Sequence, residues 1–198
     1  MLSSTAIDHL ETIRDGASSS VASVLYFFCS YKRPDLNTCL SILRTFVYQI
    51  ILQDEQLMSS VYEEYIASPH SITVLKCKKM LNHLLGSGSP NGAGRTFILI
   101  DGLDELPEAE RAEFLPIVKQ MMNNTALKIF IASQDLLDIR KVLSKHCTCI
   151  SVGDKNKRDI RKYIERATEE LVEELDLDEV APDMAGRIIE SLTARAGG

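Results

Sequence analysis

The chain has 198 residues, 45% hydrophobic and 25% charged, the balance of a globular protein long enough for one good core. A net charge of −6 and a pI near 5.3 weigh against a general nucleic-acid binder, which needs a basic face to displace counterions from phosphates. No apolar run reaches the ~18 residues of a bilayer span, so neither a membrane anchor nor a signal peptide is expected.

The first segment, MLSSTAIDHLETIRDG, puts Ala6, Ile7, Leu10 and Ile13 on one face and stops at Gly16, which predicts an amphipathic helix. VASVLYFF at 21–28 is a short continuous apolar run between serines and a KRPD turn, the pattern of a strand covered on both faces. From Leu36 the period changes: Leu36, Leu40, Leu43, Val47 and Ile50 recur at three and four, so a long helix follows. Further helices are expected around Val61–Ile66 and over Val74–Leu85, and GSGSPNGAGRT at 86–96 is the most loop-like stretch.

FILID at 97–101 is a buried strand, and Pro107 opens a helix whose apolar face holds Phe114, Leu115, Val118 and Met122, with Pro116 expected to split or kink it. KIFIAS at 128–133, LLDIRKVL, TCISV at 148–152 and DIRKYIERATEELVEEL at 159–175 then read as strand, helix, strand and helix. Strands alternating with helices define the expected fold class, an α/β protein with a largely parallel sheet. The last of these helices begins with Arg161 and Lys162 and ends with Glu169, Glu170, Glu173 and Glu174, a layout that opposes its own dipole and suits a solvated face or a partner surface.

Five cysteines, Cys29, Cys39, Cys77, Cys147 and Cys149, are scattered and odd in number. They fit neither a disulfide framework nor zinc spacing, and reduced thiols imply an intracellular, cytoplasmic protein. Cys147 and Cys149, two apart on the expected strand, should face one side as small core or edge side chains.

The chemistry gathers in FILIDGLDEL, 97–106. In a parallel α/β sheet, ligands sit beyond the carboxyl ends of the strands, so Asp101 projects into the expected site. A carboxylate beside Phe97–Ile100 is costly unless it meets a hard cation or that cation's bound water. Gly102 turns the backbone, and Asp104 and Glu105 land at the mouth of the same crevice. A metal-holding acid with a water-polarising acid is what phosphoanhydride hydrolysis needs. The simpler alternative is that Asp104, Glu105 and Pro107 only cap the next helix. Ser133 and Gln134, at the same end of the adjacent strand, favour the first reading, because they could meet a terminal phosphate or an attacking water.

FILIDGLDEL resembles the Walker B motif of NACHT domains, in the STAND class of P-loop NTPases. The wider chain is similar to NACHT modules of fungal multidomain proteins that also carry ankyrin or WD40 repeats. SVASVLYFFCS resembles their second strand, LSILRTFVYQIILQ the following helix, and KIFIASQDLLDIRKVL the sensor strand and helix. The resemblance implies a P-loop NTPase-like sheet over residues 1–153 and the start of a helical region over 154–198. It implies that Asp101 orders Mg²⁺, that Asp104 and Glu105 are the catalytic acids, and that Ser133 and Gln134 contact ATP or GTP. Where the family often has Ser-Arg, this chain has Ser133-Gln134, and a glutamine offers only a neutral hydrogen bond to the phosphate.

The phosphate-gripping loop, G-x-x-x-x-G-K-[ST], occurs nowhere in the sequence. The nearest string, GSPNGAGRT at 88–96, has the wrong spacing, an Arg for the Lys, and a strand after it in place of a helix. The resemblance therefore implies a chain that starts just after that loop, lacks a strand inside the sheet, and binds nucleotide weakly or not at all. It leaves KIFIAS and TCISV either as raw edges or paired directly. Two functions follow: part of a nucleotide-dependent signalling switch, or a non-catalytic module that pairs with itself or with full-length NACHT relatives.

Overall fold

In a computed structural model, the residues described are 2–16, 21–53, 72–85, 95–151, 157–174 and 184–196. They divide into two compact units, Met1–Cys147 and Thr148–Gly198. The expected helix around 61–66 and the 86–94 part of the loop lie outside the described residues.

Three apolar runs make the sheet: β1 (Val21–Phe28), β2 (Arg95–Asp101) and β3 (Leu127–Ala132), in the order β1-β2-β3 and all parallel. The α/β class is as expected, an open parallel sheet flanked by helices. Strand β2 starts two residues earlier than its apolar run. Arg95 and Thr96 belong to the ladder, with Thr96 opposite Leu127.

Alternation along the strands divides the core. Leu25, Ile98 and Ile100 face one layer, built from α2 (Cys39–Gln53), α3 (Val74–Leu84), α4 (Glu108–Met121) and α5 (Leu137–Leu143), with Phe46 and Phe114 fully buried in it. Val24 and Leu99 face the other side, where Ile7 of α1 (Leu2–Arg14) covers them. The central strand β2, and β1 over Val24 and Leu25, are thus covered on both faces, which is why both read as largely apolar runs.

Helix α2 begins at Cys39 and not at Leu36, because the Thr38 hydroxyl accepts from the Ser41 amide at 3.1 Å and caps the helix there, leaving Leu36 exposed in the preceding turn. The same helix finishes the outer edge of β1. Gln49 Oε1 accepts from the Tyr26 amide at 2.9 Å, Gln49 Nε2 donates to the Tyr26 carbonyl at 3.1 Å, and Gln53 Nε2 donates to the Val24 carbonyl at 3.1 Å. Two side-chain amides stand where another strand's backbone would pair.

Pro116 does not split its helix: α4 runs through it from Glu108 to Met121. Pro116 and Ala112 both lie on the exposed face, so the carbonyl that loses its donor is turned to solvent, where the loss is tolerated.

The expected strand TCISV is not formed. Residues 148–151 are irregular, and Cys147 and Cys149 are exposed, neither core-facing nor part of an edge strand. Strand propensity alone does not make a strand, since a parallel strand exists only through the ladder it shares with a neighbour. Among the described residues β3 pairs with β2 alone, so KIFIAS and TCISV do not pair, and Phe130 of β3 is 43% exposed.

The second unit is a helix pair, α6 (Lys157–Glu174) packed on α7 (Met184–Ala196). Ile164, Thr168 and Val172, four apart, form the buried face of α6. Its charged face is exposed and carries two i,i+4 pairs, Arg161–Glu165 at 2.8 Å and Arg166–Glu170 at 2.9 Å. No described helix is long and apolar enough to cross a membrane.

Candidate functional site at the carboxyl ends of the strands

The last rungs of both ladders converge on Asp101. Its carbonyl accepts from the Cys29 amide at 2.9 Å, and the next amide, of Gly102, donates to the Ala132 carbonyl at 2.9 Å. Asp101 has the strand parity of Phe97 and Leu99, so it leaves the sheet on the face that α1 covers. It is half-buried, and its carboxylate has no hydrogen-bonded or ion-paired partner among the described residues.

Gly102 has φ +70° and ψ 37°, a left-handed conformation that costs an ordinary residue 1–2 kcal/mol, on the order of one hydrogen bond. A Cβ there would stand 3.2 Å from the Cys29 carbonyl oxygen and 3.4 Å from Glu105 Oε1. The chain then enters a single 3₁₀ turn, Leu103–Glu105. Leu103 and Leu106, 0% and 1% exposed, anchor the turn in the core, and this leaves Asp104 and Glu105 half-buried at its rim.

Each of these acids is already held. Asp104 Oδ1 accepts from the Gln134 amide at 3.0 Å, so the acid turn touches the segment that follows β3. Glu105 Oε2 accepts from the Tyr31 amide at 3.0 Å, and its carbonyl accepts from Asn37 Nδ2 at 2.7 Å, which ties the turn to the loop after β1. Gln134 therefore joins the site through its backbone. The Ser133 hydroxyl donates to the Gln134 carbonyl at 2.8 Å, and both side chains are exposed. All five residues singled out in the sequence thus lie along one end of the sheet.

Cys29 feels the charge of all three acids. Burial first, then the negative charges of Glu105, Asp104 and Asp101 in that order, push its thiol up to about 12. Burial and the negative charge of the strand-end acids keep it a neutral thiol.

Beneath the turn sits Arg111, a residue that no local sequence signal marks. Its Nε meets Asp138 Oδ2 at 2.8 Å, and its Nη1 donates to the carbonyls of Asp104 at 3.1 Å and Leu106 at 2.5 Å. The Arg111 hydrogen bond holds the Asp138 carboxyl below the usual carboxylate range. Asn37 was equally unmarked: Thr38 caps α2, and the Asn37 side chain is left to hold the acid turn.

Among the described residues no group of three His, Cys, Asp or Glu is spaced to hold a metal ion. The three acids are therefore not a dedicated metal cage. Magnesium does not require one: it keeps several waters and takes one or two carboxylates, the rest coming from substrate phosphates. The unpartnered Asp101 fits that single-carboxylate role.

These features define an α/β protein with an open parallel sheet, compatible with a partial P-loop-like fold, whose polar groups gather at the carboxyl ends of β2 and β3. The chain belongs to the family described as nephrocystin 3, N-terminal, whose model matches residues 1–134. That span ends at Gln134 and so contains every residue of the rim. The matching family is not the NACHT family that the strand-end acids resemble. No curated protein and no solved structure matches the chain.

Proposed function

We propose that this chain is the magnesium- and water-handling part of a nucleotide-dependent signalling switch, an ATP- or GTP-driven NTPase of NACHT type. The observation that carries the reading is the shared rim: Asp101 ends β2 opposite Ala132 of β3, and Asp104 is bonded to Gln134. In this reading Mg²⁺, when bound, neutralises phosphate charge. Asp101 holds it directly or through water, Asp104 and Glu105 orient and accept a proton from the attacking water, and Ser133 and Gln134 face the terminal phosphate. The 198 residues contain no G-x-x-x-x-G-K-[ST], so on its own the chain binds nucleotide weakly or not at all.

Two measurements test this. In an NMR titration with paramagnetic Mn²⁺, broadening should centre on the amides of Asp101–Glu105 and Ser133–Gln134 and vanish in Asp101→Asn. Broadening centred elsewhere refutes the site. Calorimetry with Mg-ATP and Mg-GTP should give no tight binding, and a micromolar dissociation constant for the isolated chain overturns the second half of the proposal.

A non-catalytic interaction module is favoured by one different observation. Strand β3 has a single ladder partner among the described residues and an exposed phenylalanine, the features of an edge that accepts another strand. Light scattering on a size-exclusion column separates the readings, since a monomer at high concentration counts against pairing.

A further inference from the structure

Arg111 is the one charged side chain among the described residues that is buried, at 9% exposure. It stands in the first turns of α4, where a helix N-terminus disfavours a cation, so the stability of the helix does not account for it. Its contacts do. The guanidinium grips the acid turn on both sides of Glu105, through the carbonyls of residues 104 and 106, and reaches with its other edge to Asp138 in the first turn of α5. A forked, planar donor is the side chain that can hold three acceptors in fixed relation.

The ring closes on the far side. From Asp138 the chain runs back through Leu136, whose amide donates to the Gln134 carbonyl at 2.9 Å, to the Gln134 amide on Asp104 Oδ1. Three hydrogen-bonded contacts, 104 to 111, 111 to 138 and 134 to 104, therefore close a loop whose remaining side is the chain segment 134–138, and the loop links the acid turn to helix α5.

We propose that Arg111 is a positioning residue, which by clamping the acid turn to Asp138 fixes the Asp104 carboxylate on the Gln134 amide, so that the turn and the start of α5 move as one body. Whatever engages the second oxygen of Asp104 is then felt at Gln134, 30 residues along the chain, and through it at the start of α5. The functional meaning rests on the water-orienting role given to Asp104 above, but the mechanical link does not, and it is measured without metal or nucleotide.

The experiment is amide NMR on the 198-residue chain. Arg111→Met removes the clamp outright. Asp138→Asn, at a half-exposed side chain whose replacement leaves the core intact, loosens it without a cavity. In both, the Gln134 amide proton should move upfield and exchange at least about tenfold faster, the loss expected for one charge-assisted bond, while the Val24 and Leu99 amides keep their rates. Asp138→Glu, which keeps the carboxylate, should restore most of the Gln134 signal. An unchanged Gln134 amide in Asp138→Asn overturns the proposal, as does acceleration of Val24 and Leu99 in the same ratio, which would make Arg111 merely stabilising. Mn²⁺ broadening away from the rim would sink the metal site and leave this link standing.

Discussion

Replacing Gly102 by alanine tests how far the acid turn depends on one backbone conformation. At φ +70° an L-residue costs about 1–2 kcal/mol. The added Cβ would also sit 3.2 Å from the Cys29 carbonyl oxygen, a backbone atom that cannot easily retreat because the Cys29 amide is bonded to the Asp101 carbonyl at 2.9 Å. Relieving that approach adds about 1 kcal/mol or more, and the lower chain entropy of alanine in the unfolded state gives back about 0.4–1 kcal/mol. The net loss is about 2 kcal/mol. With a urea slope of ~2 kcal/mol/M, the unfolding midpoint should fall by about 1 M. Gly102→Asn separates the two causes, because asparagine tolerates the left-handed region but carries the same Cβ. It should recover part of the loss if backbone strain dominates and none if the contact does. A midpoint for Gly102→Ala within experimental error of the parent would refute the argument.

Other perturbations reach other parts of the molecule. Gln49→Ala removes both bonds to Tyr26 and should cost about 1–3 kcal/mol in urea unfolding, with a rise in self-association by light scattering as the β1 edge opens. The Cys29 and Cys39 thiols are each pushed up to about 12, chiefly by burial, so native thiols stay protonated where unfolded ones ionise. Stability is therefore complete below the ordinary thiol range and declines as pH rises from there towards 12, by up to about 1.4 kcal/mol per pH unit per thiol. Urea midpoints across that range should fall less steeply in Cys29→Ala than in the parent. Arg166→Gln on α6 breaks an exposed i,i+4 pair with the weaker Arg-before-Glu polarity, and should change the melting of the helix pair by no more than about 0.5 kcal/mol.

What the sequence disclosed was whatever depends on neighbours along the chain. VASVLYFF is β1 to the residue, because a strand covered on both faces reads as a nearly continuous apolar run between polar flanks. The acids after FILI and the glycine among them mark the end of a strand and a turn, and both are where the string places them. The contacts that organise the site are between segments far apart in sequence. Arg111 meets Asp138 across 27 positions, Asn37 meets Glu105 across 68, and the Cys39 amide is capped by Glu110 across 71, so none leaves a local pattern. In the string EAERAEF, Arg111 reads as one more solvated charge, and only the packing of α4 against α5 turns it inward. TCISV shows the reverse failure: its composition is that of a strand, but a ladder is a property of two segments, and composition describes one.

The glutamines of α2 give the sheet a direction. With the backbone beside Val24 and Tyr26 already engaged by side-chain amides, a newcomer would have to displace Gln49 and Gln53 before it could dock on that flank. Among the described residues the opposite flank, beside Phe130 and next to the acidic rim, has no such cover, so under the proposed pairing a lateral extension of this β-layer falls there. In the two proposed readings, ligand binding at the rim and a change in sheet width fall at adjoining positions, so that one is read out through the other.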